Sequence, residues 1–133
     1  MLQMDRFQRT ELHLACRNNE KQTVEWLCRS GADINCKDIH GFTPLYHASM
    51  FGYVDIIDEL LKWGADIQMT DKGGLSPLHI AAEKNHPDAV KLLLSRGANS
   101  SAVDSINRTA YDWAASKQHV EVLKIINEHT VVR

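Results

Sequence analysis

An all-α solenoid of four helix-turn-helix units is the fold this sequence predicts, and three observations predict it. Aspartates stand at Asp5, Asp38, Asp71 and Asp104, each 33 residues after the last. Short phrases recur in phase with them: TPLYHAS from Thr43 and SPLHIAA from Ser76, then RSGADIN from Arg29, KWGADIQ from Lys62 and SRGANSS from Ser95. Between the phrases, apolar residues fall at the i, i+3, i+4 spacing of one helical face. A fixed period of this length marks a chain assembled from stacked units. The units run over about 5–37, 38–70, 71–103 and 104–133, and together make a single domain, 1–133.

Each element has a local reason. In the first unit, Thr10 opens a helix with Glu11 where inner units have proline, and a second helix carries Val24, Leu27 and Cys28 up to Gly31. In the second unit, Thr43 is a good N-cap and Pro44 suits the first helical position, where a missing N–H loses no intrahelical bond. Leu45, Ala48 and Ser49 form the inward face until Gly52 breaks the helix. The next helix begins around Tyr53 to Asp55 and presents Ile57, Leu60 and Leu61 before Gly64. The third unit repeats this with Ser76, Pro77, then Val90, Leu93, Leu94 and Gly97. The fourth begins at Thr109 and carries Leu123, Ile126 and Asn127.

The glycines at 31, 64 and 97 read as helix stops, because glycine enters the left-handed region without the steric cost of a side chain. Small residues at Ala15/Cys16, Ala48/Ser49, Ala81/Ala82 and Ala114/Ala115 let neighbouring helix pairs approach closely. Helices shorter than about 12 to 15 residues are marginal in isolation, so stacking must hold them. The ends deviate as caps. Gln8 replaces the glycine of Gly41 and Gly74, and Asn127 places an amide where Leu61 and Leu94 stand, so the array is expected to end there.

With this period, the TPL-H-A phrases and the GAD-I-N exit, the chain closely resembles the ankyrin-repeat family from Asp5 to about Thr130. The resemblance implies β-hairpin fingers between helix pairs, near residues 34–42, 67–75 and 100–108. It also implies that Thr10/His13 and Ser76/His79 hydrogen-bond to each other and to nearby backbone, a structural rather than catalytic or metal-binding role. The second unit departs, with Tyr46 at the histidine position and His47 one later. Asn35 matches a position hydroxylated in some members of the family; hydrogen bonding of the finger is its simpler reading.

Composition excludes several function classes. Fifteen Lys+Arg against seventeen Asp+Glu leave no broad basic face, so nucleic acid is not expected as a partner. No apolar run approaches the ~18 to 20 residues of a membrane span, and the start MLQMDRFQRTE does not read as a signal peptide, so no membrane is expected and N107-R-T109 carries little weight as a glycosylation sequon. Cys16, Cys28 and Cys36 lack C-x-x-C spacing and fit reduced thiols, hence a cytoplasmic or nuclear protein. Cys16 and Cys28 fall at core positions and Cys36 on a finger, with no histidine placed by sequence to activate it. Catalytic motifs are absent from the sequence, so no catalytic, cofactor or metal residue is assigned and the chain is read as not an enzyme. The repeated aspartates order the finger turns.

Function is therefore expected on the fingers and first helices, where the family's concave groove lies, with another protein as the partner and a monomer as the state. The second unit is unusually apolar there, with Ile39, Phe42, Met50 and Phe51 beside His40, and Leu75 on the next finger. Arg9, Arg17, Lys72 and Lys84 form the rim, which suits an apolar segment with acidic flanks. Trp26 and Trp113 are expected to pack, and Trp63 to be exposed.

Overall fold

A computed structural model of the chain describes residues 4–132. Eight helices are found among them: α1 Glu11–Arg17, α2 Lys21–Arg29, α3 Pro44–Phe51, α4 Val54–Lys62, α5 Pro77–Glu83, α6 Pro87–Ser95, α7 Ala110–Ser116 and α8 Val120–Val132. Consecutive helices pack in pairs, α1 with α2 through α7 with α8. The first helices also stack in one row, α1–α3–α5–α7, and the second helices in another, α2–α4–α6–α8. Among the described residues no helix is long and apolar enough to cross a membrane.

The caps anticipated from sequence form. The hydroxyls of Thr10, Thr43, Ser76 and Thr109 accept from the amides of His13, Tyr46, His79 and Asp112, satisfying one of the donors that each helix start leaves open. Pro44 and Pro77 lie in the first turn. The core is the run of inward positions: Ala48, Ala81 and Ala114 are 0% exposed where first helices meet, as are Ile57 and Val90 on the second helices. In α8 the inward face differs from the one read from sequence: Val122 and Ile126 are buried, Leu123 is half-buried and Asn127 is exposed, because the last helix packs on one neighbour in its row and is turned by one residue relative to α4 and α6. Burying each larger aliphatic side chain contributes roughly 1.5 to 3 kcal/mol, which the short helices lack on their own.

Three further expectations change. Among the described residues there is no β-strand, so the fingers are turns rather than β-hairpins. Their closure is hairpin-like, as in Asp38 N to Phe42 O at 3.0 Å and Gly41 N to Asp38 O at 3.0 Å. The amides that a longer ladder would use are taken by the aspartate at the turn's start. Trp26 does not pack: it is 61% exposed, because it lies on α2 away from the Val24/Leu27/Cys28 face. Ala115 is exposed, unlike buried Ser49 and Ala82, since no further helix pair lies against it among the described residues. Trp63 is 42% exposed, as anticipated, and Trp113 is half-buried.

Candidate binding surface

The four turns share one construction. In each, the aspartate Oδ1 accepts two amides, two and four residues on: Phe7 and Arg9 from Asp5, His40 and Phe42 from Asp38, Gly73 and Leu75 from Asp71, and Ile106 and Arg108 from Asp104. The fourth turn position is left-handed throughout, occupied by Gln8, Gly41, Gly74 and Asn107. These are side-chain turns of the kind that aspartate supports.

The second oxygen differs at every turn. Asp5 Oδ2 takes Arg9 Nε at 2.7 Å, Asp38 Oδ2 takes His47 Nε2 at 3.0 Å, Asp71 Oδ2 takes Tyr46 Oη at 2.8 Å, and Asp104 Oδ2 takes Trp113 Nε1 at 2.8 Å. Burial works to raise the Asp38 pKa, but the Phe42 amide, the His47 imidazole and the His40 amide outweigh it and hold the carboxyl below its ordinary value. Burial drives His47 the other way, down to about 4, so its ring is neutral and donates from Nε2.

His13 and His79 do what the resemblance implies. Each accepts the N-cap amide at Nδ1, from Thr10 and Ser76 at 3.1 Å. Each then donates from Nε2 to a carbonyl at the end of the next turn, Phe42 O at 2.8 Å and Arg108 O at 3.0 Å. His13, Asp38 and His47 bring ligand-type atoms within 4.8 Å of one another in the core. Every one of those groups is engaged as a hydrogen-bond partner, which leaves His47 Nδ1 as the cluster's unpaired nitrogen among the described residues.

Cys16 and Cys28 are buried, and burial pushes the Cys28 thiol up to about 11. Tertiary structure supplies the histidine that sequence did not place near Cys36: its Sγ lies 3.9 Å from His13 Nδ1 and donates to Asp33 O at 3.3 Å. Burial still raises this thiol's pKa, opposite to what a nucleophile needs. Asn35 braces the exit loop, accepting from Asp66 N at 2.8 Å and donating to Gly64 O at 3.3 Å.

The aromatic residues singled out from sequence fall into two clusters. Phe42 precedes α3, stacks on Tyr46 with centroids 4.3 Å apart and meets His47 edge-on at 5.5 Å. His40 lies beside it at 5.4 Å, Phe7 stacks on His40 at 6.0 Å, and the Arg9 guanidinium sits 4.8 Å from the Phe7 centroid. Phe51 ends α3, about 12 Å of helix away. There it stacks on Tyr53 at 5.7 Å, with Arg17 over its ring at 5.5 Å. Tyr46 and Tyr53 are not among the binding residues read from sequence. Their signal was aromaticity beside an assigned position, but the partner ring lies in another element.

Ile39 is 41% and Phe51 37% exposed, whereas Phe42, Met50 and Leu75 are half-buried. His40, Lys72 and Lys84 are exposed. Lys84 lies 3.8 Å from Glu83, whose carboxylate also meets Lys117 at 3.3 Å, so its charge is partly answered within the chain. A separate groove of about 600 Å³, unanticipated from sequence, runs between α6 and α8 over Pro87, Leu94 and Ile125. Its rim mixes Asp88, Glu121 and Glu128 with Lys91 and Lys124.

Comparison with known proteins agrees with this construction. A family described as Ankyrin repeats (3 copies) matches residues 1–71 and 64–131. The chain is 46% identical over 41 residues to the ADP-ribosylation factor GTPase-activating protein AGD2 of Arabidopsis thaliana, a match covering 31% of this chain and 5% of that protein. It is 47% identical over 51 residues to the palmitoyltransferase AKR1 of Kluyveromyces lactis, covering 38% of this chain and 7% of the relative. A putative ankyrin repeat protein of fowlpox virus, FPV031, is 43% identical over 53 residues, covering 39% of this chain and 16% of the relative. The chain thus spans a small part of the length of these relatives. Paired short helices whose first members are capped by a threonine or serine hydroxyl, histidines tied to the next turn and a match over nearly every residue together place this chain in the ankyrin-repeat family.

Proposed function

We propose that this chain is a non-enzymatic protein-interaction module that binds a partner protein through its turns and first helices. Ankyrin repeats generally mediate protein–protein interaction, and the finer reading concerns which residues do so here. The binding surface comprises Ile39, His40, Phe42, Met50, Phe51 and Leu75, rimmed by Arg9, Arg17, Lys72 and Lys84. The observation that carries it is the exposure of Ile39 and Phe51 on the first-helix side of the second pair, with the Arg17 guanidinium lying over Phe51. Exposed aromatic and aliphatic side chains edged by cations suit an apolar segment with acidic flanks. In this reading the four repeats form one domain, monomeric, in the cytoplasm or nucleus, and the turns act as its recognition fingers.

A second reading makes the chain the regulatory or targeting part of a larger protein. It is favoured by the relatives' much greater length and by the enzyme names two of them carry. The test of the binding surface is affinity capture with the intact chain beside Ile39→Ala and Phe51→Ala, compared by mass spectrometry. A partner captured by the parent and lost by both variants, with melting temperature unchanged, supports the surface. Partners retained equally by all three would sink it.

A further inference from the structure

The second helix pair departs from its neighbours at two adjacent residues, and both departures end on a turn aspartate. Where α1 and α5 have His13 and His79, α3 has Tyr46, whose hydroxyl runs forward to Asp71 Oδ2 at 2.8 Å. One residue on, where α1 has Leu14 and α5 has Ile80, His47 turns back to Asp38 Oδ2 at 3.0 Å. Tyr46 and His47 are 2% and 1% exposed, so both donors are held by packing before they meet a carboxylate. The turns they reach carry Ile39, His40 and Phe42 on one side and Lys72 and Leu75 on the other. Of the outer turns, Asp5 is answered by Arg9 from within its own turn, and Asp104 by Trp113, nine residues on as His47 is from Asp38; among the described residues only Tyr46 reaches forward to the aspartate of the following turn.

We propose that Tyr46 and His47 are positioning residues that tie turns 38–42 and 71–75 to a single helical turn of α3, so that both are preformed for one partner segment crossing them. The consequence for binding rests on the surface proposed above; the tie itself needs no partner. Each aspartate holds two amides of its turn through Oδ1, so fixing Oδ2 fixes the orientation of that whole amide pair. Phe42 is then clasped between the Tyr46 face and the His47 edge, which sets the direction in which its half-buried ring presents itself. Ordering a surface beforehand removes an entropic cost that a partner would otherwise meet on binding.

Amide hydrogen exchange of the full chain by NMR tests this without a partner. Tyr46→Phe keeps the ring that stacks on Phe42 and removes only the hydroxyl. It should speed exchange at Gly73 and Leu75 by at least about tenfold. His47→Ile, which installs the residue found at position 80, should do the same at His40 and Phe42, and His47→Gln, which keeps a donor, should stay near the parent. Exchange at Ile106 and Arg108, in the last turn, should not change in any variant. Unchanged exchange at the targeted amides would overturn the proposal, and so would equal acceleration at Ile106 and Arg108, which would mean global loosening. If His47→Ile does not fold, Tyr46→Phe alone decides. Loss of the binding surface itself would appear in the capture experiment and leave these exchange rates untouched.

Discussion

Acidification from about pH 7 to about pH 4 should remove about 3 kcal/mol of stability through His47 alone, and His47→Gln should abolish most of that share. The imidazole is 1% exposed, and burial depresses its pKa from the ordinary 6.5 to about 4. The folded state therefore refuses a proton that the unfolded chain accepts below about 6.5. Its stabilising contribution is complete above that value and declines as pH falls toward 4, with a limiting slope of about 1.4 kcal/mol per pH unit. At about pH 5 the loss is about 2 kcal/mol, which for a urea slope of roughly 2 kcal/mol per molar moves the midpoint by about 1 M. His13 lies 5.4 Å away and is also depressed, first by its own burial, so the two rings titrate as a coupled pair with the same sign. Urea unfolding at several pH values, parent against His47→Gln, measures the difference. Glutamine keeps a donor for Asp38 but takes up no proton. Equal acid sensitivity in both proteins between about pH 7 and pH 5 would refute the assignment of a neutral, buried His47.

Two further expectations follow from the turns and the tryptophans. Alanine at Gly74 should cost clearly more than alanine at Gly97: both have positive φ, worth about 1 to 2 kcal/mol, but a Cβ at Gly74 would lie 2.9 Å from the Ser105 backbone nitrogen of the next turn, whereas Gly97 has nothing within 4 Å. Thermal melting of the two variants ranks them, and equal losses would count against close turn-to-turn packing. Trp26→Ala should change stability by less than about 0.5 kcal/mol because the side chain is 61% exposed, while Trp113→Phe, which removes the 2.8 Å donor to Asp104, should cost about 1 to 2 kcal/mol; denaturant titration of both reads the contrast.

The turn carboxylates give the fold an economy that bears on function. One aspartate closes a five-residue turn and leaves a second oxygen free, and that oxygen is the point at which each helix pair can be linked to a turn. Where the donor comes from decides which turns are linked. In this chain α3 supplies donors to two of them, beside the most apolar part of the first-helix side. The groove between α6 and α8 lies on the other row of helices and shares no lining residue with this surface.

By itself the sequence determined the helix starts at Thr10, Thr43, Ser76 and Thr109, the stops near Gly31, Gly64 and Gly97, the inward faces of the first three units, and the aspartates that close the turns. All of these depend on bonds within about four residues or on a spacing repeated along the chain, so they can be read from letters and intervals. Tertiary structure alone decided that Tyr46 reaches Asp71 rather than its own turn, that His13 approaches Cys36, that Trp26 stands in solvent, and that Phe42 and Phe51 head separate clusters at opposite ends of α3. Those outcomes depend on how one helix pair is rotated and offset against the next. That rotation is set by the packing of the whole stack, not by any short stretch of residues.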